Sequence, residues 1–202
     1  MSLLIIAGSS RKASINRALQ QRLAEVAEAN GEQYYCYPPE ELDAPIYNGD
    51  YEEENGVPSN IQKLATAVKE ATKIIVVTPE YNSSIPPLLK NAIDWSSRLE
   101  TNPWAGKTVL LAGASPGQFG AVRSMTDLRG VFCNLDAWVA PAIASIAKTD
   151  ADKIAELDAD FLSTFMSQET NLATGLDSVI RHCAIRLGSH RYGAFLRNSG
   201  RA

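Results

Sequence analysis

Three segments of this 202-residue chain have residue types and spacings that could bind a phosphate or a nucleotide. The first, GSSRKASIN at residues 8–16, follows a short apolar run and leads into a helical pattern. Free backbone N–H groups, a helix dipole, hydroxyls and one guanidinium would converge there, as in a phosphate cradle. Both the GK[ST] of a Walker loop and GxGxxG are missing, so we expect a monophosphate. The alternative is a serine-capped helix beside a surface arginine.

Two further segments also combine polar residues with a backbone that is restricted by proline or made more flexible by glycine. Residues 78–87, TPEYNSSIPP, place polar groups and Tyr81 between prolines, so the loop could frame a flat heteroaromatic ring. Residues 113–120, GASPGQFG, contain Gly117 and Gly120, which permit a tight path and close ligand approach. The alternatives are an ordinary capped turn and a common glycine-rich loop.

Strand and helix patterns alternate along the chain and place each of these segments directly after a strand. Continuous apolar runs of strand length alternate with segments whose apolar residues recur at helical spacing. The predicted strands are 3–7, 33–37, 74–77, 109–112 and part of 138–146. The predicted helices are 15–27, 59–68 with Ser59 as N-cap, 87–98, 121–135, and 153–166 with Phe161 facing inward. Residues 38–58, rich in proline, glycine and acids, are predicted as a loop.

This alternation predicts an α/β domain over residues 1–170, with a doubly wound parallel sheet covered by helices on both faces. Ligands of such sheets bind beyond the carboxyl ends of the strands, so the three segments would form one site. Residues 171–202 are predicted to be an additional basic extension, with a helix from Leu176 to Leu187.

Composition excludes several classes of function. The net charge of −4 argues against nucleic-acid binding. Leu3–Ala7, the longest apolar run near the N-terminus, is far shorter than the ~18 residues that span a membrane. The three cysteines are widely spaced and odd in number, which favours a reducing cytoplasm over a disulfide framework. No metal site is expected, because His182 and His190 have no acidic neighbour at ligand spacing.

Charge is distributed unevenly. Residues 29–62 contain eight acids and no lysine or arginine, whereas five arginines and no acid follow Asp177. The two segments are either separately solvated or complementary, within one subunit or across an oligomer interface.

The three segments, extended to TPEYNSSIPPLLKNAIDW and GASPGQFGAVRSMTDLRGVF, resemble signatures of the NAD(P)H-dependent FMN reductases. This flavodoxin-like group includes chromate, quinone and azo-compound reductases, and the resemblance runs from Leu3 to Ile146. It implies the strand order 2-1-3-4-5, FMN as cofactor, NADPH or NADH as electron donor, and a homodimer or homotetramer.

The resemblance also implies site residues. The FMN phosphate would be held by Ser9, Arg11, Ser14 and Asn16. The isoalloxazine ring and ribityl chain would be bordered by Pro79, Glu80, Tyr81, Asn82 and Ser83. The other edge of the ring would be closed by Ser115, Gly117 and Gly120. Structural support would come from Lys90, Asn91 and Asp94. The 2′-phosphate of NADPH needs a basic contact, and a separate hypothesis, independent of the resemblance, assigns it to Arg123 or the C-terminal arginines.

Three positions depart from the family pattern. Ser83 and Pro87 stand where glycine is usual, and Gly120-Ala121 replaces a glycine pair.

The implied reaction is hydride transfer from NAD(P)H to N5 of FMN, followed by electron transfer to a quinone, azo compound, metal ion or free flavin. Backbone N–H groups of residues 115–120 would stabilise negative charge near N1 and O2 of the reduced flavin. The alternatives are a flavodoxin-like electron carrier and a flavin-binding sensor without turnover.

Overall fold

A computed structural model describes residues 2–168, which form a five-stranded parallel sheet with helices on both faces. The strands are β1 (Leu3–Ala7), β2 (Tyr34–Tyr37), β3 (Lys73–Val77), β4 (Thr108–Ala114) and β5 (Trp138–Ile146). The helices are α1 (Ile15–Ala29), α2 (Gly49–Asn55), α3 (Ser59–Glu70), α4 (Pro87–Ser96), α5 (Val122–Asn134), α6 (Ala151–Ala155) and α7 (Ala159–Met166), with a 3₁₀ helix at Pro39–Leu42. The strand order β2-β1-β3-β4-β5 confirms the predicted doubly wound, flavodoxin-like sheet.

The continuous apolar runs form the central strands because successive side chains point to opposite faces of the sheet. Each face packs against its own hydrophobic core. Leu4 and Ile6 pack beneath α3, α4 and α5, whereas Leu3 and Ile5 pack beneath α1, α6 and α7. Every residue of β1 and β4 is buried, as expected for parallel strands covered on both faces.

The register aligns the carboxyl ends of three neighbouring strands. Ala7 of β1 pairs with Val77 of β3, and Val77 pairs with Ala112 of β4. Two further hydrogen bonds extend the ladder, from Gly8 N to the Val77 carbonyl and from Thr78 N to the Ala112 carbonyl, both 2.8 Å long. The segments that follow these strands therefore begin side by side.

The prediction of residues 38–58 as a loop is wrong in part, because the segment contains the 3₁₀ helix and α2. Helix α2 buries none of its residues, so no apolar stripe reveals it in the sequence. It begins where the Asn48 side chain accepts hydrogen bonds from Asp50 N and Tyr51 N. At α3, Pro58 occupies the N-cap position and the predicted cap, Ser59, is the first helical residue.

The single helix predicted over residues 153–166 is also wrong. The structure has the short helices α6 and α7, and Asp158 caps the second by accepting a hydrogen bond from Asp160 N at 2.9 Å. The break changes the helical phase, so Phe161, predicted to face inward, is exposed. Leu162 and Phe165 fill the core instead.

The predicted extension at residues 171–202, with its helix, histidines and arginines, lies outside the described residues. Within residues 2–168, no helix is both long and apolar enough to cross a membrane.

Candidate active site

Three loops lie at the aligned strand ends: loop 1 (residues 8–14) after β1, loop 2 (residues 78–86) after β3, and loop 3 (residues 113–121), which begins with the last two residues of β4. Loops 2 and 3 start in close contact, because a Cβ atom on Gly113 would lie only 2.6 Å from the Thr78 carbonyl oxygen. The structure therefore brings the three predicted segments together at one edge of the sheet.

Loop 1 has a run of available hydrogen-bond donors. The backbone N–H groups of residues 9–13 make no hydrogen bond to other described residues. Ser14 is the N-cap of α1, and its Oγ accepts a hydrogen bond from Asn16 N at 3.2 Å. The exposed Arg11 guanidinium contacts the Ala13 carbonyl at 3.3 Å. The free N–H groups, hydroxyls and positive charge have the chemistry that a phosphate monoester requires.

Asn16 has both polar atoms of its side chain occupied by loop 3. Its Nδ2 donates to the Ala114 carbonyl at 3.0 Å, and its Oδ1 accepts from Ala114 N at 2.9 Å. The side chain is buried and joins the start of α1 to the end of β4. We therefore infer that Asn16 positions loops 1 and 3 relative to each other.

Loop 2 contains a tight hairpin turn. Tyr81 and Ser84 exchange two backbone hydrogen bonds of 3.1 Å, and both residues between them have positive φ, 49° at Asn82 and 69° at Ser83. This is the pattern of a type I′ turn. Pro79 is buried at the start of the loop, whereas Tyr81, Asn82 and Ser83 are exposed at its tip.

Glu80 faces Arg123 at the start of α5. Its carboxylate accepts hydrogen bonds from Arg123 Nε at 2.7 Å and from Arg123 N at 3.0 Å, and it also contacts Nη2. Burial acts to raise the pKa of Glu80, but these hydrogen bonds outweigh it and hold the pKa below its usual range. This ion pair leaves only one guanidinium nitrogen of Arg123 for the predicted 2′-phosphate contact.

A second contact fastens loop 2 to α5. The hydroxyls of Thr78 and Ser124, both fully buried, are hydrogen bonded at 2.8 Å. No local sequence pattern identifies this pair, because the two residues are 46 positions apart.

Loop 3 is held by the segment that follows β5, which sequence reasoning did not include in the site. Ser145 Oγ donates to the Gly120 carbonyl at 3.0 Å. Backbone N–H groups of Lys148 and Thr149 donate to the carbonyls of Gly117 and Ser115. Ser115 N is itself paired with Ile146, but the N–H groups of residues 117–121 make no hydrogen bond within the described chain. Loop 3 therefore has available backbone hydrogen-bond donors, and the segment that follows β5 holds its backbone in place.

Gly117 and Gly120 differ in what surrounds them. A Cβ atom on Gly120 would lie 2.6 Å from Ser145 Oγ and 2.8 Å from the Ile146 carbonyl carbon, and the residue has a φ of +51°. A Cβ atom on Gly117 would meet only Ser115 Oγ, at 3.7 Å. The chain itself therefore requires glycine at 120, whereas the space at 117 is open to a ligand.

This difference predicts opposite behaviour for two matched variants. Gly120→Ala should lower the free energy of unfolding by about 2–4 kcal/mol, because backbone atoms must shift and the φ is unfavourable. Gly117→Ala should leave the free energy of unfolding of the apoprotein within about 0.5 kcal/mol and weaken FMN binding. Denaturant unfolding and FMN fluorescence titration measure the two quantities. Equal unfolding free energies for the two variants would contradict the prediction.

The departures from the family pattern have visible structural consequences. Ser83 and Ala121 have φ values of 69° and 63°, a region in which glycine is far less strained than other residues. Pro87 occupies the first turn of α4, where its fixed φ is compatible with the helix. Strain is therefore present in the backbone of loops 2 and 3.

The remaining motif residues act as supports in α4. Asn91 hydrogen bonds to the backbone of Ala44, Pro45 and Tyr47, so it holds segment 44–47 rather than loop 2. Lys90 Nζ and Asp94 Oδ1 form an ion pair of 2.7 Å within the same helix.

The arrangement fits FMN. Unpaired N–H groups and Arg11 in loop 1 match a phosphate, and the open surface at Gly117 with donors in loop 3 matches the polar edge of a flavin. Fold and site together define a flavodoxin-like α/β protein with a mononucleotide site at the carboxyl ends of its strands.

Comparison with known proteins narrows this class. The sequence model of the NADPH-dependent FMN reductase family matches residues 1–152. A quinone reductase of Escherichia coli K12 is 40% identical over 139 residues, which are 69% of this chain and 73% of that protein. An NAD(P)H-dependent FMN reductase of Pseudomonas aeruginosa is 34% identical over 145 residues, 67% of this chain and 71% of the relative.

A solved structure gives the same result. The flavoenzyme NAD(P)H:(acceptor) oxidoreductase FerB of Paracoccus denitrificans superposes with a TM-score of 0.69 at 28% identity, covering 82% of this chain and 94% of that one. The chain belongs to the NADPH-dependent FMN reductase family. The predicted enzyme class, an oxidoreductase, and the predicted cofactors, FMN with NAD(P)H, are thereby confirmed.

Proposed function

We propose that this protein is an FMN-dependent NAD(P)H:acceptor oxidoreductase that reduces small quinones. The observation that carries the proposal is that loops 1 and 3, joined by Asn16, both have backbone N–H groups without a partner among residues 2–168, with open space at Gly117. Relatives that are named quinone reductase or FMN reductase support the choice of acceptor class. Azo compounds, metal ions and free flavin are further acceptors to be screened.

In this proposal the chain binds and orients, and the cofactor supplies the redox chemistry. FMN, when bound, would supply the group that accepts a hydride from NAD(P)H and delivers two electrons to the acceptor. Ser9, Ser14 and Arg11 bind the phosphate with the free N–H groups of loop 1. The N–H groups of residues 117–120 would donate to the polar edge of the flavin and would stabilise negative charge on the reduced ring. Overall, one NAD(P)H, one quinone and one proton give NAD(P)⁺ and one quinol.

The Cys36 thiol has no part in this proposed reaction. Burial raises the pKa of Cys36 to about 11, so the thiol is protonated at neutral pH and is a poor nucleophile.

The first experiment is an anaerobic stopped-flow titration of the FMN-loaded protein with NADPH and then NADH. Bleaching of the flavin band near ~450 nm within seconds, followed by reoxidation with a quinone, is the expected result. Flavin that binds but is bleached by neither donor would refute the reductase assignment and favour an electron carrier or a sensor.

The phosphate assignment predicts a selective effect of one variant. Arg11→Ala should raise the dissociation constant of FMN about tenfold, because one charge-assisted contact to the phosphate is lost. Riboflavin has no phosphate, so its weaker binding should not change. Fluorescence titration with both flavins measures this, and equal losses for FMN and riboflavin would show that Arg11 does not contact the phosphate.

We also propose that the protein is a cytoplasmic homodimer or homotetramer in which the basic C-terminal segment of one subunit contacts an acidic surface of another. Within residues 29–62, four acids pair with lysine or arginine of the same chain, whereas Asp43, Asp50, Glu53 and Glu54 make no ion pair with a described residue. Deletion of residues 188–202 should therefore lower the oligomer mass in light scattering. An unchanged mass would contradict this arrangement.

A further inference from the structure

Phe119 is an exposed aromatic residue at the edge of the candidate site, with 45% of its surface accessible. It lies in loop 3 between Gly117 and Gly120. Its carbonyl oxygen accepts hydrogen bonds from Val122 N at 2.9 Å and from Ser145 Oγ at 3.2 Å. The backbone that carries the ring is therefore fixed, although the ring is open to solvent.

The ring itself is also held in place. The guanidinium carbon of Arg123 lies 4.4 Å from the centroid of the Phe119 ring, within the range of a cation–π contact. Glu80 in turn binds the Arg123 guanidinium and its backbone N–H. Arg123 therefore covers one face of the ring, while 45% of the surface of Phe119 stays accessible.

Phe161 on α7 provides the comparison within the same molecule. It is exposed to almost the same extent, 47%, but no cation lies over its ring within the described chain. It belongs to a helix that packs on α1 and β5 rather than to the three loops. Phe119 and Phe161 are therefore similar in exposure. They differ because the Phe119 ring is held by Arg123 and lies beside the candidate site.

We propose that Phe119, held by Arg123 and Glu80 beside loop 3, is a stacking platform that selects planar aromatic electron acceptors over compact inorganic ones. The inference rests on the proposed function. An electron-poor quinone ring stacks well on the electron-rich face of phenylalanine in an offset geometry. A ring that is already ordered loses little conformational entropy when a ligand binds, so more of the contact energy appears as affinity.

Binding to the oxidised, FMN-loaded protein tests the platform without turnover. The dissociation constant of 1,4-naphthoquinone, measured by quenching of flavin fluorescence without donor, should rise about five- to tenfold in Phe119→Ala. Phe119→Trp should bind within about twofold of wild type, because the stacking surface is retained. Phe161→Ala is the matched control and should leave the constant unchanged.

Steady-state kinetics give a second readout. In Phe119→Ala, kcat/KM should fall by a larger factor for 1,4-naphthoquinone than for ferricyanide, which is compact and needs no stacking surface. Equal losses of kcat/KM for the two acceptors would contradict the proposed role of Phe119. The same holds if naphthoquinone binding weakens equally in the Phe161→Ala control, or as much in Phe119→Trp as in Phe119→Ala. A raised dissociation constant for FMN in Phe119→Ala would also contradict the proposal, because the Phe119 ring would then contact the cofactor rather than the acceptor.

A failure of the proposed function can be distinguished from a failure of the Phe119 proposal. Wild-type flavin that neither donor reduces would refute the reductase assignment, whereas the binding measurement on oxidised protein would still report on Phe119.

Discussion

Replacing Asn16 with leucine is expected to lower the free energy of unfolding by about 2–4 kcal/mol and to raise the dissociation constant of FMN more than tenfold. Leucine is similar in size but can form neither hydrogen bond to Ala114, so a buried N–H and a buried carbonyl lose their partners. Each such group costs roughly 1–3 kcal/mol when it stays unpaired in the protein interior. FMN binding weakens as well, because loops 1 and 3 are no longer held together.

Denaturant unfolding of the apoprotein and fluorescence titration with FMN measure the two effects. Asn55→Ala is the control: Asn55 is exposed, and among residues 2–168 its side chain bonds only to the Tyr51 carbonyl within α2. We expect a change below about 0.5 kcal/mol there. If Asn16→Leu has the same free energy of unfolding as wild type, loops 1 and 3 do not depend on this contact.

Replacing Arg123 with leucine is expected to lower the free energy of unfolding by about 1–3 kcal/mol, because the Glu80 carboxylate loses its charged donor. Only 8% of the Glu80 side chain is exposed, against 46% of Arg123, so water compensates part of the loss. The double variant Glu80→Leu/Arg123→Leu should recover part of the stability, since no unpaired charge remains. Lys63→Leu is the control, because its pair with Glu41 is 3.8 Å long and exposed on both sides.

The same ion pair predicts a pH dependence. The pKa of Glu80 is lower in the folded protein than its ordinary value of 4.5, so the carboxylate stabilises the fold at neutral pH. That contribution is fully present above 4.5 and is lost as the pH falls through the lower, folded-state pKa. The stability difference between wild type and Glu80→Gln should therefore shrink below pH 4.5. A difference that grows on acidification would contradict the assignment.

The position of the site could be predicted from local sequence because it depends on where strands end. Leu3–Ala7 is apolar throughout and is followed by Gly8 and two serines, so the change from buried strand to polar loop is visible without a structure. Parallel pairing then forces such strand ends to one edge of the sheet. The same argument located loops 2 and 3.

Contacts between distant residues could not be predicted in this way. Glu80 and Arg123 are 43 residues apart, and neither position has a local pattern that identifies its partner. Helix α2 was missed because an exposed helix without buried residues has no apolar periodicity to detect. Phe161 was misplaced because the helix is interrupted between Ala155 and Ala159, so one continuous helical period does not hold across the break.

The contact between Asn16 and Ala114 spans 98 residues of sequence, and this has a consequence for biosynthesis. A nascent chain whose β4 is still inside the ribosome has no partner for Asn16 and lacks loop 3. Cofactor capture must therefore follow emergence of Ala114 and cannot template the early stages of folding. In a series of stalled nascent chains, flavin should be retained only once that residue has left the exit tunnel.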